Sequence, residues 1–373
     1  MDFSLSDDQR AIAEMAEGLF RDYCNDDALR AFDLSGQPFM QDLWQACIET
    51  GLHALAIDEA QGGSGLGMTD LMCVLQAQGG ALALVPLWQQ QLACLTLQRF
   101  GAHTHASLLA QGAAGEALLG LSLDRDSGLT LSADGEGWRL DGHAGAVALA
   151  AQARALLVFT NSSDGPRLVL IDPAASGVSL IPAVATHGLA VADVDCSGLR
   201  LNADAVLPQA ALEWLEPRAI AAVAALQLGI SEAQLRRTVE YVSERRQFDR
   251  AIGSFQAVQM TLADCRIAVE ALRSSLYQLC YRLDAGLGCQ SEALATRYLS
   301  CDTGHRVGHK AQHVHGGIGV DLTYPIHRYL YWSRDLGLTL GGSAASLERL
   351  GDWLAHHDNL GWKYDLEENA GLC

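Results

Sequence analysis

Lysine is nearly missing from this sequence: of its 25 basic residues, only Lys310 and Lys363 are lysines. Chemistry built on an internal Schiff base or a phosphate-loop lysine therefore finds almost no residue to work with. Positive charge is scarce altogether. The 44 acidic residues leave a net charge of −19, the wrong sign for a chain that binds nucleic acid by releasing counterions. No run of eighteen apolar residues occurs. Ala144–Phe159 is interrupted by Gln152 and Arg154, and Ile220–Ile230 is too short to span a bilayer. The opening MDFSLSDDQR has neither the basic start nor the apolar stretch of an export signal. The ten cysteines include no C-x-x-C pair, which removes the zinc knuckle and the dithiol motif. They read as reduced core residues of a soluble, cytoplasmic protein. G-x-S-x-G and H-E-x-x-H are absent as well, so esterase and zincin readings lack their minimum residues.

What remains is apolar and long. The 373 residues are 49% hydrophobic and only 18% charged, a composition for folded domains with a large core and not for a disordered chain. Residues 1–118 read as a helical domain. Phe3, Leu5, Ile12, Met15, Ala16 and Leu19 recur at helical spacing behind a Ser6/Gln9 capping box. Further helical patterns cover Phe39–Gly51 and Met68–Phe100. Residues 119–207 read as an antiparallel β domain. Short β-type runs near Leu129, Trp138, Ala155–Thr160, Arg167–Ile171 and Val178–Ile181 alternate there with Asp-Gly and Asp-Pro turns. Residues 208–373 read as a four-helix bundle. Its helices are expected from Pro217, in a first turn, to Arg246, then over Phe255–Ala285, Ser291–His315 and Ile326–His357. The fold class is α+β multidomain, in the order helical, β, helical.

Three clusters could carry chemistry. Gly62–Gly67 looks nucleotide-like, but no register satisfies G-x-G-x-x-G and no β-run precedes it, which favours a loop. His305, His309 and His313 share one helix face. With only Asp302 nearby, that stripe suits packing or partner contact better than a metal. It leads into Gly316-Gly317, where a backbone free of side chains can approach a ligand closely. Arg236, Arg237, Arg245, Arg246 and Arg250 face only Glu240, Glu244 and Asp249. They form either a solvated helix face or a phosphate site.

Three segments together resemble the acyl-CoA dehydrogenase family over essentially the whole chain. The first is Leu43-Trp44 through Gly67. The second, Tyr241 to Gln256, is similar to Y-x-x-x-R-x-Q-F-G-x-P-I-x-x-F-Q. The third, His313-Val-His-Gly316-Gly317-Ile-Gly319 with Tyr324-Pro325, is similar to Q-x-x-G-G-x-G and its downstream Y-P. The resemblance implies FAD as cofactor, held at its pyrophosphate and adenosine end by Arg245, Phe248, Gln256, His313, Gly316 and Gly317. These residues would reach into a neighbouring subunit's site. His313 in place of glutamine is similar to bacterial members acting on steroid side-chain thioesters. The implied reaction is α,β-dehydrogenation of an acyl-CoA, with an electron-transfer flavoprotein as acceptor.

The departures from the family are equally specific. Relatives place a glutamate in a segment like I-Y-E-G-T; the corresponding Leu336–Leu347 contains no acid, and Asp335 and Glu348 only flank it. A minority place the base early in the first bundle helix, where this chain has Pro217-Arg218-Ala219-Ile220, with Glu213 and Glu216 upstream. The T-E-P-x-x-G-S-D and W-I-T/S segments that line the flavin ring are replaced by Leu121–Gly128 and Gly142–Val147. The expectation is a chain with no catalytic residue of its own, paired with a related chain in an α2β2 dehydrogenase. A homomeric enzyme using Glu213 or Glu216, and a flavin-free acyl-CoA-binding scaffold, remain open alternatives.

Overall fold

The computed structural model describes residues 4–101 and 103–357; Phe3, Lys363 and Cys373 lie outside them. Six helices come first: α1 (Asp7–Tyr23), α2 (Asp26–Ser35), α3 (Gln41–Glu49), α4 (Met68–Ala81), α5 (Leu87–Phe100) and α6 (Ala106–Ala113). Seven strands follow: β1 (Leu119–Ser122), β2 (Thr130–Asp134), β3 (Gly137–Ala148), β4 (Ala155–Ser162), β5 (Arg167–Ile171), β6 (Val178–Val184) and β7 (Ala190–Leu201). The remainder is α7 (Gln209–Glu244), a hairpin of β8 (Arg246–Gln247) and β9 (Arg250–Ala251), α8 (Gln256–Asp284), α9 (Gln290–His315), α10 (Ile326–Leu338) and α11 (Ser343–His356). No described helix is long and apolar enough to cross a membrane.

The chain groups into two compact units. One comprises Ala31–Leu71 and Leu84–Ala219 and contains the sheet. Its strand order is β1-β4-β2-β3-β7-β6, with β5 on the other side of β4. The sheet is antiparallel as expected except at β4, which runs parallel to both β1 and β2 (Leu119 opposite Ala155, Thr130 opposite Asn161) and antiparallel to β5. Leu140, Leu156, Val169 and Val194 fill the inner face. β7 alternates Ala192, Val194 and Cys196 inward with Asp193 and Asp195 facing outward, a period-two pattern that the sequence reading passed over. A second cluster packs α5 and α6 under β1 through Cys94, Leu97, Leu109 and Leu119. Pro86 and the left-handed Leu82 break the expected Met68–Phe100 helix into α4 and α5.

The other unit comprises Met1–Arg30, Met72–Ala83 and Ile220–Cys373. The Ser6/Gln9 capping box forms as expected, each side chain closing on the other's backbone N–H. Here α4 and α7 approach backbone to backbone. A Cβ on Gly79 would sit 2.1 Å from the Leu226 carbonyl oxygen, and one on Gly229 1.9 Å from that of Gln76. Two further corrections concern the bundle. α7 begins at Gln209, so Pro217 lies inside the helix and not in its first turn. The expected fourth helix is two, α10 and α11, parted at Thr339–Gly342 where Gly341 takes φ +77°.

Candidate cofactor cradle

The end of α7 builds the first half of the candidate site. The Arg245 N–H donates to the Tyr241 carbonyl (2.8 Å), and the Ile252 N–H returns to the Arg245 carbonyl (2.8 Å). Between them Arg246 pairs with Ala251 and Gln247 with Arg250. Phe248 and Asp249 close this hairpin with φ of +52° and +63°. Two positive φ values in a two-residue turn match the twist of the flanking strands. The family pattern has glycine at the second position; aspartate is among the few other residues that tolerate it. Phe248 pays for this conformation in strain and is 86% exposed, its ring edge-on to Phe255 at 6.2 Å. Arg246 donates to the Asp249 carbonyl (2.7 Å), and the Arg250 guanidinium lies 4.0 Å from the Phe255 ring centre. Arg245 and Gln256 are exposed, and Arg245 has no side-chain partner among the described residues.

The sequence grouped five arginines, and the structure separates them. Arg237 belongs elsewhere: it forms a two-pronged ion pair with Asp26 (2.9 and 3.1 Å) and lies over Tyr329. Arg246 and Arg250 serve the hairpin itself. Arg236 and Arg245 are both exposed with no hydrogen bond or ion pair among the described residues, and of the two only Arg245 lies at the hairpin.

The second half lies at the end of α9. His313 is exposed on the last turn, and Gly316 ends the helix at φ +63°, ψ −140°, a combination open in practice only to glycine. A Cβ added to Gly316 or Gly317 would meet nothing within 4 Å, so their backbone is uncovered on that side. Between them His315 is buried, 4% exposed. Its ring stacks on Tyr241 at 4.3 Å and 19°, and Tyr324 leans on it at 5.6 Å. That contact brings the two halves together, since Tyr241 carries the carbonyl on which Arg245 is hung. His305 and His309 lie ring to ring at 4.5 Å on the exposed face. Among the described residues no group of three or more His, Cys, Asp or Glu is placed to hold a metal ion.

The α10–α11 turn is held by a buried arginine. Arg297 is 1% exposed and donates through one terminal nitrogen to the carbonyls of Leu336 (2.8 Å), Gly337 (3.0 Å) and Gly341 (3.0 Å). These carbonyls cluster at the C-terminal end of α10, the negative end of its dipole, and offset the buried charge. Burial pushes the guanidinium pKa below its ordinary value. Asp335 spends its backbone carbonyl on the Thr339 hydroxyl and N–H, and Glu348 is exposed.

In the β unit the two segments that replace the family's ring-lining motifs are neighbours. The Gly128 N–H donates to the His143 carbonyl (2.9 Å). β3 bulges between Ala144 and Val147, with Ala146 at φ +50° and its N–H on the Asp193 carboxylate (2.8 Å). Arg125, in the first segment, forms a fork-to-fork pair with Glu216 (2.8 and 2.9 Å) and covers the Phe159 ring at 5.5 Å. Glu216 is 7% exposed, so both its oxygens are committed in a site that water hardly reaches. Glu213 is exposed and accepts from Gln209 (3.1 Å). Neither Arg125–Glu216 nor Arg297 was visible as a functional pair in the sequence; their partners lie far away along the chain and follow no fixed spacing.

Comparison with known proteins agrees with this geometry. Residues 6–116 match the model "Acyl-CoA dehydrogenase, N-terminal domain", and residues 217–355 match "Acyl-CoA dehydrogenase, C-terminal domain". Acyl-CoA dehydrogenase FadE27 of Mycobacterium tuberculosis is 33% identical over 95% of this chain and 99% of its own length. Among solved structures, the ChsE4-ChsE5 complex from Mycobacterium tuberculosis matches with a TM-score of 0.90 and 31% identity, over 96% of this chain and 100% of that one. A variant of the Tcur3481-Tcur3483 steroid ACAD matches with a TM-score of 0.89 and 36% identity, over 95% and 99%. Butyryl-CoA dehydrogenase of Megasphaera elsdenii, at 20% identity and a TM-score of 0.84, shares the fold. By sequence, by fold and by the paired motifs at the ends of α7 and α9, the chain belongs to the acyl-CoA dehydrogenase family, the FAD-dependent enzymes that desaturate acyl-CoA thioesters.

Proposed function

We propose that this chain is the subunit without a catalytic base in a heteromeric, FAD-dependent dehydrogenase of steroid side-chain acyl-CoA thioesters. The observation that carries the reading is the missing carboxylate. The α10–α11 turn holds glycines where relatives have glutamate, and the one buried alternative, Glu216, has both oxygens engaged by Arg125. A base tied up in this way cannot take an α-proton without first breaking its ion pair. The kinship with structures described as a ChsE4-ChsE5 complex and a Tcur3481-Tcur3483 steroid ACAD supports both the second chain and the substrate class.

The residues present fit the adenosine and pyrophosphate end of FAD. Arg245 offers an unengaged charge for the pyrophosphate, which a guanidinium meets with paired hydrogen bonds. Gly316 and Gly317 leave the backbone uncovered, so a dinucleotide can come closer than any side chain would allow. Phe248, Gln256 and His313 are exposed around them to contact the adenosine. When bound, FAD would supply the acceptor for the β-hydride, with an electron-transfer flavoprotein as the proposed electron acceptor. This chain's part is to bind and orient. The partner related in sequence would contribute the ring contacts and the base, in an α2β2 assembly. None of the nine described cysteines forms a disulfide with another, and eight are buried, in keeping with a reducing compartment such as the cytoplasm.

The test is to purify the chain alone and with its related partner, and to assay each for flavin absorbance and acyl-CoA dehydrogenation. Activity is expected only from the pair. A yellow, active preparation of this chain with no other polypeptide would overturn the reading.

A further inference from the structure

His315 is singled out by none of the chemistry above, yet it is the point at which the two halves of the cradle touch. Its Nδ1–H donates to the Ala311 carbonyl one turn back (2.9 Å), and Nε2 is buried with no partner among the described residues. A polar ring so placed is costly unless something else fixes it there. What fixes it is a stack of three rings from three segments: Tyr241 of α7, His315 of α9 and Tyr324 beyond the Gly316–Val320 turn.

Each neighbour is tied down in turn. The Tyr241 carbonyl receives the Arg245 N–H from which the hairpin starts. The hairpin comes home at Gly253, where a Cβ would lie 3.0 Å from the Val242 carbonyl, so its return leg rests on the same turn of α7. On the other side, the Thr323 carbonyl takes a hydrogen bond from Arg30 (2.7 Å), and the Tyr324 N–H donates to Asp321 (3.0 Å). His315 itself immediately precedes Gly316, whose left-handed backbone sets the direction of the loop. A displacement of this ring would therefore move the hairpin and the glycine loop relative to each other.

We infer that His315 is a positioning residue: its stack on Tyr241 fixes the register between the Arg245–Gln256 hairpin and the His313–Gly317 loop. The inference rests on reading those two segments as one dinucleotide cradle, but it concerns their mutual geometry and can be measured without FAD. Around the imidazole lie Tyr241 on α7 and Tyr324, with the Arg237–Asp26 ion pair and Glu240 as the charges influencing Tyr324. Among the described residues no carboxylate touches the ring to favour its charged form, and burial lowers its pKa from the ordinary value. The stack is thus made by the neutral ring and weakens as the pH falls.

The experiment uses amide hydrogen exchange on the full chain, as wild type, His315→Ala, His315→Phe and Tyr241→Leu. His315→Ala and Tyr241→Leu should speed exchange by about tenfold in both the 246–251 hairpin and the 313–320 loop, the size of a lost aromatic pair. His315→Phe should restore both, because it keeps the stack without a titratable nitrogen. In the assembled complex, flavin retention should fall for wild type only as the pH drops below the ordinary imidazole range, and stay level for His315→Phe. Faster exchange in His315→Ala that is confined to the loop, with the hairpin unchanged, would overturn the inference. Coupled exchange in the free chain, with flavin retention in the complex untouched by every variant, would uphold the positioning role and overturn the cradle reading instead.

Discussion

At Arg245 the competing readings of a charged helix end meet a direct measurement. A solvated arginine on a helix contributes about 0–1 kcal/mol, whereas a charge-assisted contact to a pyrophosphate is worth about 1.5–3 kcal/mol. Arg245→Ala should therefore lower FAD retention in the assembled complex by about ten- to a hundredfold. The chain should still fold, because the guanidinium is exposed and makes no hydrogen bond or ion pair among the described residues. Unchanged flavin content would return Arg245 to the solvated class. Glu216→Gln tests the opposite expectation. The change keeps the shape but removes the charge facing Arg125, at a cost of about 1–3 kcal/mol of stability, and it should leave dehydrogenation by the complex within about tenfold. A fall beyond about a hundredfold with FAD still bound would make Glu216 the base. His53 gives the residue-scale dependence on pH. It is buried against the Ala113 carbonyl (2.8 Å), and burial pulls its pKa below the ordinary 6.5. The unfolded chain then takes up the proton first. Stability should be complete above about pH 6.5 and decline as the pH drops toward the folded value, and His53→Gln should flatten that decline, as read from urea midpoints across the range.

Elements built from local rules were legible, and those settled by distant contacts were not. The Ser6/Gln9 cap and the limits of α8 and α9 follow from spacing, capping and a terminal glycine, all of which act within a few residues. Pro217 was misplaced because a proline signals a first turn only when nothing upstream is helical. Here Ala211, Leu212 and Leu215 are buried and carry the helix through it. The parallel insertion of β4 depends on strand pairing across the sheet, for which turn dipeptides give no sign. The cradle's motif residues were legible as contiguous patterns. The Tyr241–His315–Tyr324 stack and the Arg125–Glu216 pair were not, since each joins segments by shape and charge across long separations. The α10–α11 break belongs with these, for its carbonyls find their donor on α9. Arg297→Leu should leave those three carbonyls without that donor and cost about 2–4 kcal/mol. Exchange at 339–342 should rise while the hairpin stays unaffected. If stability and exchange both hold, the turn is fixed by its glycines and not by Arg297.

At the scale of the whole molecule, on the proposed function, this chain contributes the adenosine end of a cofactor site and leaves the ring end to a partner chain. The residues proposed for the adenosine side are exposed in the hairpin, and the glycine loop is uncovered. Among the segments aligned with the ring-lining motifs, β3 bulges at Ala146 and Arg125 is engaged by Glu216. A homomer would pair the adenosine end with a ring side lacking those motifs in every site. An assembly with a related chain would instead join this chain's adenosine end to the partner's ring contacts. The chain expressed alone should therefore purify nearly colourless, and the complex should hold one FAD per pair of unlike chains. The partner should carry a T-E-P-type segment and an acid where this chain has Gly341 to Ser343. Arg245→Ala on this chain should then lower FAD retention in the complex, even though the base lies on the other polypeptide. The same change at the matching arginine of the partner should leave flavin content level, because the site it would serve has this chain's ring side. Flavin quantified against each polypeptide by absorbance and amino-acid analysis decides the matter. Two flavins per unlike pair, or equal losses from the two arginine changes, would mean that both kinds of site are filled.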